Sequence, residues 1–162
     1  MLHNYQSDLS PVSGMNHLIN KWLVERQELI RLYCSLTDEH IDRPMFLRRL
    51  ETFCEVLVDY LSAGHFEVFT ELENEARHFD ERGLNLVNAL YPYLEQSTEL
   101  ALCFNDRCEQ LKQSHREFEK IREELSYLGE SLTDRFQLED QLVEYVHNEY
   151  VHNHLETSAQ AS

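Results

Sequence analysis

Apolar side chains return every three or four positions along most of the chain, the spacing of one face of an α-helix. From Asn16 to Leu36 the stripe is Leu18, Trp22, Leu29 and Tyr33, broadened by Leu23 and Ile30, with Arg26 in one of its slots. An arginine so placed buries its stem and takes its head to water or to a carboxylate. Thr37 to Arg43 is a polar break. Pro44 suits the first turn of a second helix, with Asp42 as its cap. That helix is predicted to run to about Ala63, with Leu50, Cys54, Leu57 and Leu61 on one face and Phe53, Val56 and Tyr60 beside them. Ser62-Ala63-Gly64 is expected to end it, Gly64 serving as a left-handed C-cap.

Residues 65–81 then read as a shorter helix with Phe66, Phe69, Leu72, Ala76 and Phe79 inward, closed by Gly83. Leu84 to Tyr91 continues as helix up to Pro92, which kinks or restarts it, and a further helix reaches about Lys112 with Leu94, Leu100, Ala101 and Phe104. The last helix has the most regular seam: Phe118, Ile121, Leu125, Leu128 and Leu132. Continued at the same spacing, that seam lands on Arg135, Glu139, Leu142 and Val146. Two opposite charges four residues apart can pair on one helical face. If buried they need further polar partners, of which His65 and Asp59 are candidates. Phe136 and Val143 leave a second reading open, in which the seam rotates and both charges lie at its edge. Gly129 in mid-helix signals a close approach or a slight bend.

The fold class that follows is all-α, an antiparallel helical bundle of about four main helices plus one or two short ones. Residues 1–15 are expected as a flexible lead-in, 16–152 as a single bundle domain and 153–162 as a disordered tail.

Composition narrows the picture. With 42% hydrophobic residues the chain is globular, and four Gly and three Pro with no Asn-Gly or Asp-Gly pair favour helix over sheet. Cys34, Cys54, Cys103 and Cys108 form no CxxC, which points to reduced thiols and a cytoplasmic setting. Neither a secretory signal nor a transmembrane run is present, so no membrane role is expected. Thirty acidic against 14 basic residues give a formal charge of −16. No basic stripe is available to grip a nucleic-acid backbone, and a field of this sign steers basic partners instead.

Candidate chemistry is sparse. Glu75-x-x-His78 and Glu149-x-x-His152 have the spacing of a di-iron bundle motif, with Glu25 or Glu28 and Glu95 or Glu99 as conceivable further ligands. Both pairs fall in polar or terminal surroundings, so di-iron or other metal binding ranks as the alternative, and no cofactor or metal is expected. His147, His152 and His154 read as a solvated tail, and Cys103-x-x-x-x-Cys108 lacks a second ligand pair. No P-loop, GxGxxG, GxSxG or kinase motif occurs, and catalysis is not expected. An interaction surface remains. Asp59 interrupts an apolar run, so it either faces water beside apolar neighbours or is buried and paired. Were helix to continue through Gly64, Asp59, Ser62 and Phe66 would share a face, a carboxylate flanked by an aromatic and small residues.

The stretch Phe53–Glu67, FCEVLVDYLSAGHFE, closely resembles the signature of the regulator of sigma D and AlgQ family, nearer its AlgQ branch. Arg135–Asp140 (RFQLED), Leu18–Glu28 (LINKWLVERQE), the Tyr91-Pro92 junction and Glu95 share the likeness. The resemblance implies an all-helical anti-sigma factor that binds region 4 of the primary, sigma-70 class sigma factor, blocking its −35 DNA and core polymerase contacts. By the family motif, Asp59 is the acidic contact to a sigma arginine, with Tyr60, Ser62, His65 and Phe66 around it. Arg26, Arg135, Glu139 and Asp140 are implied to be a polar interior cluster behind that surface.

Overall fold

Helix α1 (Pro11–Leu36) and helix α2 (Arg43–Ala63) form an antiparallel hairpin. A π-helical turn, Gly64–Phe69, leads without interruption into α3 (Thr70–Phe79), and α4 (Glu81–Gln110) and α5 (His115–Gln160) complete the chain. This computed structural model describes residues 11–79, 81–111 and 115–161, except for the side chains of 11–13, 75–79, 115–117 and 150–157. Among the described residues every regular element is helical, as the hydrophobic spacing requires.

The loop between α1 and α2 is fixed at both sides. Asp42, in extended conformation, accepts from the Met45 N–H at 2.9 Å, and Pro44 occupies the first turn of α2. Arg49 Nη1 donates to the Ser35 carbonyl at 2.8 Å, tying α2 back to the end of α1. Three aromatic contacts join the four long helices. Phe46 meets Phe118, Phe53 meets Phe104, and Tyr33 meets Phe53, with ring centroids 5.2, 6.4 and 5.9 Å apart. Fully buried side chains such as Phe46, Phe53 and Leu128 each contribute roughly 1.5–3 kcal/mol to the folded state.

Several local expectations are corrected. Helix α1 begins at Pro11, ahead of Asn16, and α5 continues as helix to Gln160, past Asn153. Gly83 lies within α4 and does not end a helix; a Cβ there would overlap the Tyr145 ring, so its role is close approach. Pro92 is carried inside α4, which runs unbroken from Glu81 to Gln110. Leu100 and Ile30 face outward, while Leu94, Ala101 and Phe104 are buried. Gly129 does mark a close approach: a Cβ would overlap the Tyr33 hydroxyl, which donates to the Leu125 carbonyl at 3.0 Å.

Gly64 departs most from expectation. Its φ and ψ are −58° and −49°, right-handed helical values, so it is not a left-handed cap. The glycine is needed for space. A Cβ would lie 3.2 Å from Cζ2 and Nε1 of Trp22, whose indole stacks on Tyr60 (5.3 Å, 8°) and meets the edge of Phe69 (5.6 Å). The chain therefore passes Gly64 still coiled, as a π turn instead of a stop.

Candidate functional site

Two groups of polar side chains lie back to back at this turn. The first is buried. Arg135 and Glu139, on the apolar seam of α5, are 1% and 0% exposed, and Arg26 from α1 is 9% exposed. Arg135 Nε donates to Glu139 Oε1 at 2.7 Å, and Arg26 Nη2 donates to Glu139 Oε2 at 2.8 Å. Arg26 Nη1 donates to Asp140 at 2.5 Å, and Arg26 Nε to the Tyr60 hydroxyl at 3.2 Å. The Tyr60 hydroxyl in turn donates to Glu139 Oε2. Arg135 Nη1 reaches α4, donating to the Leu94 carbonyl at 2.9 Å and to the hydroxyls of Ser97 and Thr98 at 2.7 Å each.

Two guanidinium groups face two carboxylates, so the cluster is formally neutral, and it links α1, α2, α4 and α5 in one network. Burial pushes the Tyr60 hydroxyl well above its ordinary range, and the Glu139 charge adds to this. Burial also pushes the Glu139 carboxyl up, opposed by Arg135, the Tyr60 hydrogen bond and Arg26. For Arg26, burial acts to lower the guanidinium and is outweighed by Tyr60, Asp140 and Glu139, which hold it charged. His65 and Asp59, candidate complements for the Arg135–Glu139 pair, are both exposed. Ser97, Thr98, Tyr60 and Arg26 take that place.

The second group faces water. Asp59 and Ser62 are exposed on the last turns of α2, followed by His65, Phe66 and Glu67 on the π turn. The extra residue in a π turn keeps Gly64, Val68 and Phe69 buried while the intervening three bulge outward. Phe66, expected inward in a plain helix, is consequently 72% exposed. Thr70 Oγ1 donates to the His65 carbonyl at 3.0 Å, satisfying an acceptor inside the turn. The His65 ring packs edge-on against Phe66 (4.9 Å) and near Tyr91 of α4 (6.1 Å). Tyr60 does not join this surface. It points inward, 0% exposed, because α2 turns successive side chains by ~100° and Asp59 takes the solvent side.

Sequence reasoning missed some neighbours. Glu25 of α1 stands near enough to Glu67 and Asp59 for burial and those charges to push its carboxyl up, against the pull of Lys21. Its Oε2 is buried with no hydrogen-bond partner among the described residues. Tyr91 was visible only at its junction with Pro92, and Trp22 only as a helix-face residue. The surface is thus an anionic and aromatic patch made from α1, α2, the π turn and α4. Beside it, α2 and α4 enclose a groove of about 850 Å³ with Leu47, Leu50, Cys54, Val58 and Leu111 on its apolar side, and Glu51, Glu55, Asp59 and Glu109 among its polar residues.

Among the described residues no group of three or more His, Cys, Asp or Glu is placed to hold a metal ion. The side chains of Glu75, His78 and His152 lie outside the described residues. No helix among the described residues is long and apolar enough to cross a membrane.

Fold and site together define a helical-bundle protein that presents a rigidly backed anionic surface. The chain belongs to the family described as "Regulator of RNA polymerase sigma(70) subunit, Rsd/AlgQ", which matches residues 1–147. It is similar to the Regulator of sigma D of Yersinia enterocolitica, 33% identical over 149 residues, covering 90% of this chain and 89% of the relative. It is likewise similar to the Regulator of sigma D of Pectobacterium atrosepticum, 32% identical over 152 residues, covering 91% and 99%. No solved structure matches significantly.

Proposed function

We propose that this protein is an anti-sigma factor that holds region 4 of the primary, sigma-70 class sigma factor through the Asp59 surface. The carrying observation is one exposed carboxylate, Asp59, flanked by Ser62, His65 and a 72% exposed Phe66, on a protein of formal charge −16. Region 4 is a basic helix-turn-helix. An arginine from it would pair with Asp59, and the Phe66 and His65 rings would cover its flank, the usual make-up of an interface hot spot. Glu25 and Glu67 add negative potential around the pairing point.

Sigma held in this way cannot reach the −35 element or seat on core polymerase, so the effect is steric and needs no catalysis, cofactor, metal or direct nucleic-acid contact. The setting is the cytoplasm, where sigma works. The buried Arg26–Tyr60–Glu139–Arg135 network supports the reading by fixing the residue next to Asp59 in place.

The test is co-elution of the purified protein with a purified region 4 fragment at low salt. A complex is expected. Asp59→Lys should weaken it by roughly 100-fold or more, since a central contact is worth ~2–4 kcal/mol, while circular dichroism stays unchanged. Separate elution at low salt would overturn the proposal, and loss of helix in the variant would assign Asp59 to the scaffold.

A further inference from the structure

Asp59 is the last of three carboxylates set four residues apart on α2. Glu51, Glu55 and Asp59 are all exposed, and all three line the groove between α2 and α4. Four helical residues advance ~6 Å, so the row runs ~12 Å along the groove and ends at Asp59. Glu109 lines the groove from α4. Elsewhere carboxylates are answered within the chain, Glu28 by Arg31 and Glu124 by Arg107. Among the described residues, no ion pair or side-chain hydrogen bond takes up Glu51, Glu55, Asp59 or Glu109, and Arg48 is the one cation in the groove lining.

We infer that the groove seats one helix of the region 4 partner, about three turns long, with a basic side chain at every fourth position against Glu51, Glu55 and Asp59. An adjoining apolar stripe of that helix lies on Leu47 and Val58. The inference rests on the sigma-binding reading above and extends it, since the arginine at Asp59 becomes one rung of three.

The lining selects the occupant. A helix repeats its side chains at the same ~6 Å step as the α2 row, so a single helix can answer all three carboxylates at once. Like charges four residues apart on a helix repel, so the row destabilises the free protein slightly and a basic partner relieves it. Between the acids the surface is apolar. Leu47 and Val58 are half-buried, and Leu50, Cys54 and Leu111 are buried along the floor. Burial against that floor is not screened by salt, while the carboxylates fix register, because a helix displaced by one residue carries its basic row ~100° away. Four carboxylates against one guanidinium exclude a nucleic-acid backbone as the occupant.

The experiment measures binding of the purified full chain to the region 4 fragment and to a model peptide, at one fixed low salt concentration. The peptide has about 16 residues, enough for three turns and capped ends, with lysine at every fourth position and leucine on the adjoining stripe. A scrambled peptide of the same composition is its control. Glu51→Lys with Glu55→Lys leaves Asp59 in place and should weaken both region 4 and the model peptide by roughly tenfold or more, since like charge then faces like charge. Glu123→Lys with Glu130→Lys makes the same charge change on α5, outside the groove lining, and should weaken either ligand by less than about threefold. Should the groove pair lower the melting temperature, Glu51→Gln with Glu55→Gln repeats the test without new charge, and a loss of about threefold or more is expected.

Equal losses from the groove pair and the α5 pair would overturn the inference, because only net charge would then count. Equal binding of the model and scrambled peptides would overturn it as well. If region 4 fails to bind the parent chain, the sigma reading falls by itself. The peptides then decide the groove: preference for the model peptide, lost in the groove pair, keeps it as a seat for a basic helix, and no preference ends it.

Discussion

Asp59 and Tyr60 are adjacent in sequence and belong to opposite worlds. One points to water on the anionic patch; the other is fully buried, bonded to Arg26 and Glu139. The two regions use the same residue types, carboxylates, aromatics and hydroxyls, under different dielectric conditions. In the interior a missing partner leaves a charge stranded. Arg26, Arg135 and Glu139 are each held by several others, with Arg135 Nη2 the one guanidinium nitrogen of the cluster left buried without a hydrogen-bond partner among the described residues. On the patch, water can satisfy any group the partner does not, so each side chain there can be altered without cost to the fold. Stability and binding are thereby separated within one turn of helix, and substitutions should separate them as well.

The largest stability effect is expected from Arg135→Ala. It removes one of the two guanidinium partners of the fully buried Glu139 carboxylate and empties a buried site against Leu94, Ser97 and Thr98, so urea unfolding should show a loss of ~3–5 kcal/mol. The fraction that remains folded should still bind region 4. A loss within error would mean that the network is not energetically buried.

Tyr60→Phe removes one hydrogen-bond donor to Glu139 and one acceptor for Arg26, with an expected cost of ~1–3 kcal/mol. The same variant sharpens the comparison through pH. Burial raises the Tyr60 hydroxyl above its ordinary value of 10.0, so the folded state keeps a proton that the unfolded chain loses. Folding stability then falls as pH rises above that value, because the unfolded state binds fewer protons. Between pH ~9 and ~11 the urea midpoint of the parent should drop more steeply than that of Tyr60→Phe. Parallel slopes would show that Tyr60 titrates as it does in water.

Gly64→Ala follows, with an expected loss of ~1–2 kcal/mol, since its Cβ would press on an indole held by Tyr60 and Phe69. A gain in stability would mean that Trp22 yields and that only the helix propensity of Ala remains. The smallest effect belongs to Asp59→Ala, whose unfolding free energy should stay within ~0.5 kcal/mol of the parent. For region 4 affinity the ranking inverts, with Asp59→Ala causing the greatest loss.

The interior network was partly legible in sequence because charges on an apolar seam are conspicuous. Arg26, Arg135 and Glu139 occupy slots where the three-and-four spacing calls for apolar groups, and all three are buried. Tyr60 was not legible in this way. A phenol has an apolar body and a polar tip, so it suits a core stripe and a patch equally, and only the Arg26 and Glu139 partners decide. Gly64 misled for a related reason: glycine serves both left-handed backbone and tight packing, and the indole that needs the space lies 42 positions away, Trp22 against Gly64. Phe66 was assigned inward because a helical wheel assumes 3.6 residues per turn throughout, and the π turn breaks that count.

The π turn also makes the exposed patch sensitive to length at a single place. Deleting one residue between His65 and Glu67 would remove the extra residue that the π turn accommodates, so an ordinary α-helix would run from α2 into α3 with the later positions still on their present faces. Phe69 and Leu72 would keep their places in the core, and the outward bulge that carries Phe66 would be lost. A chain one residue shorter here would thus keep its core and lose part of its patch.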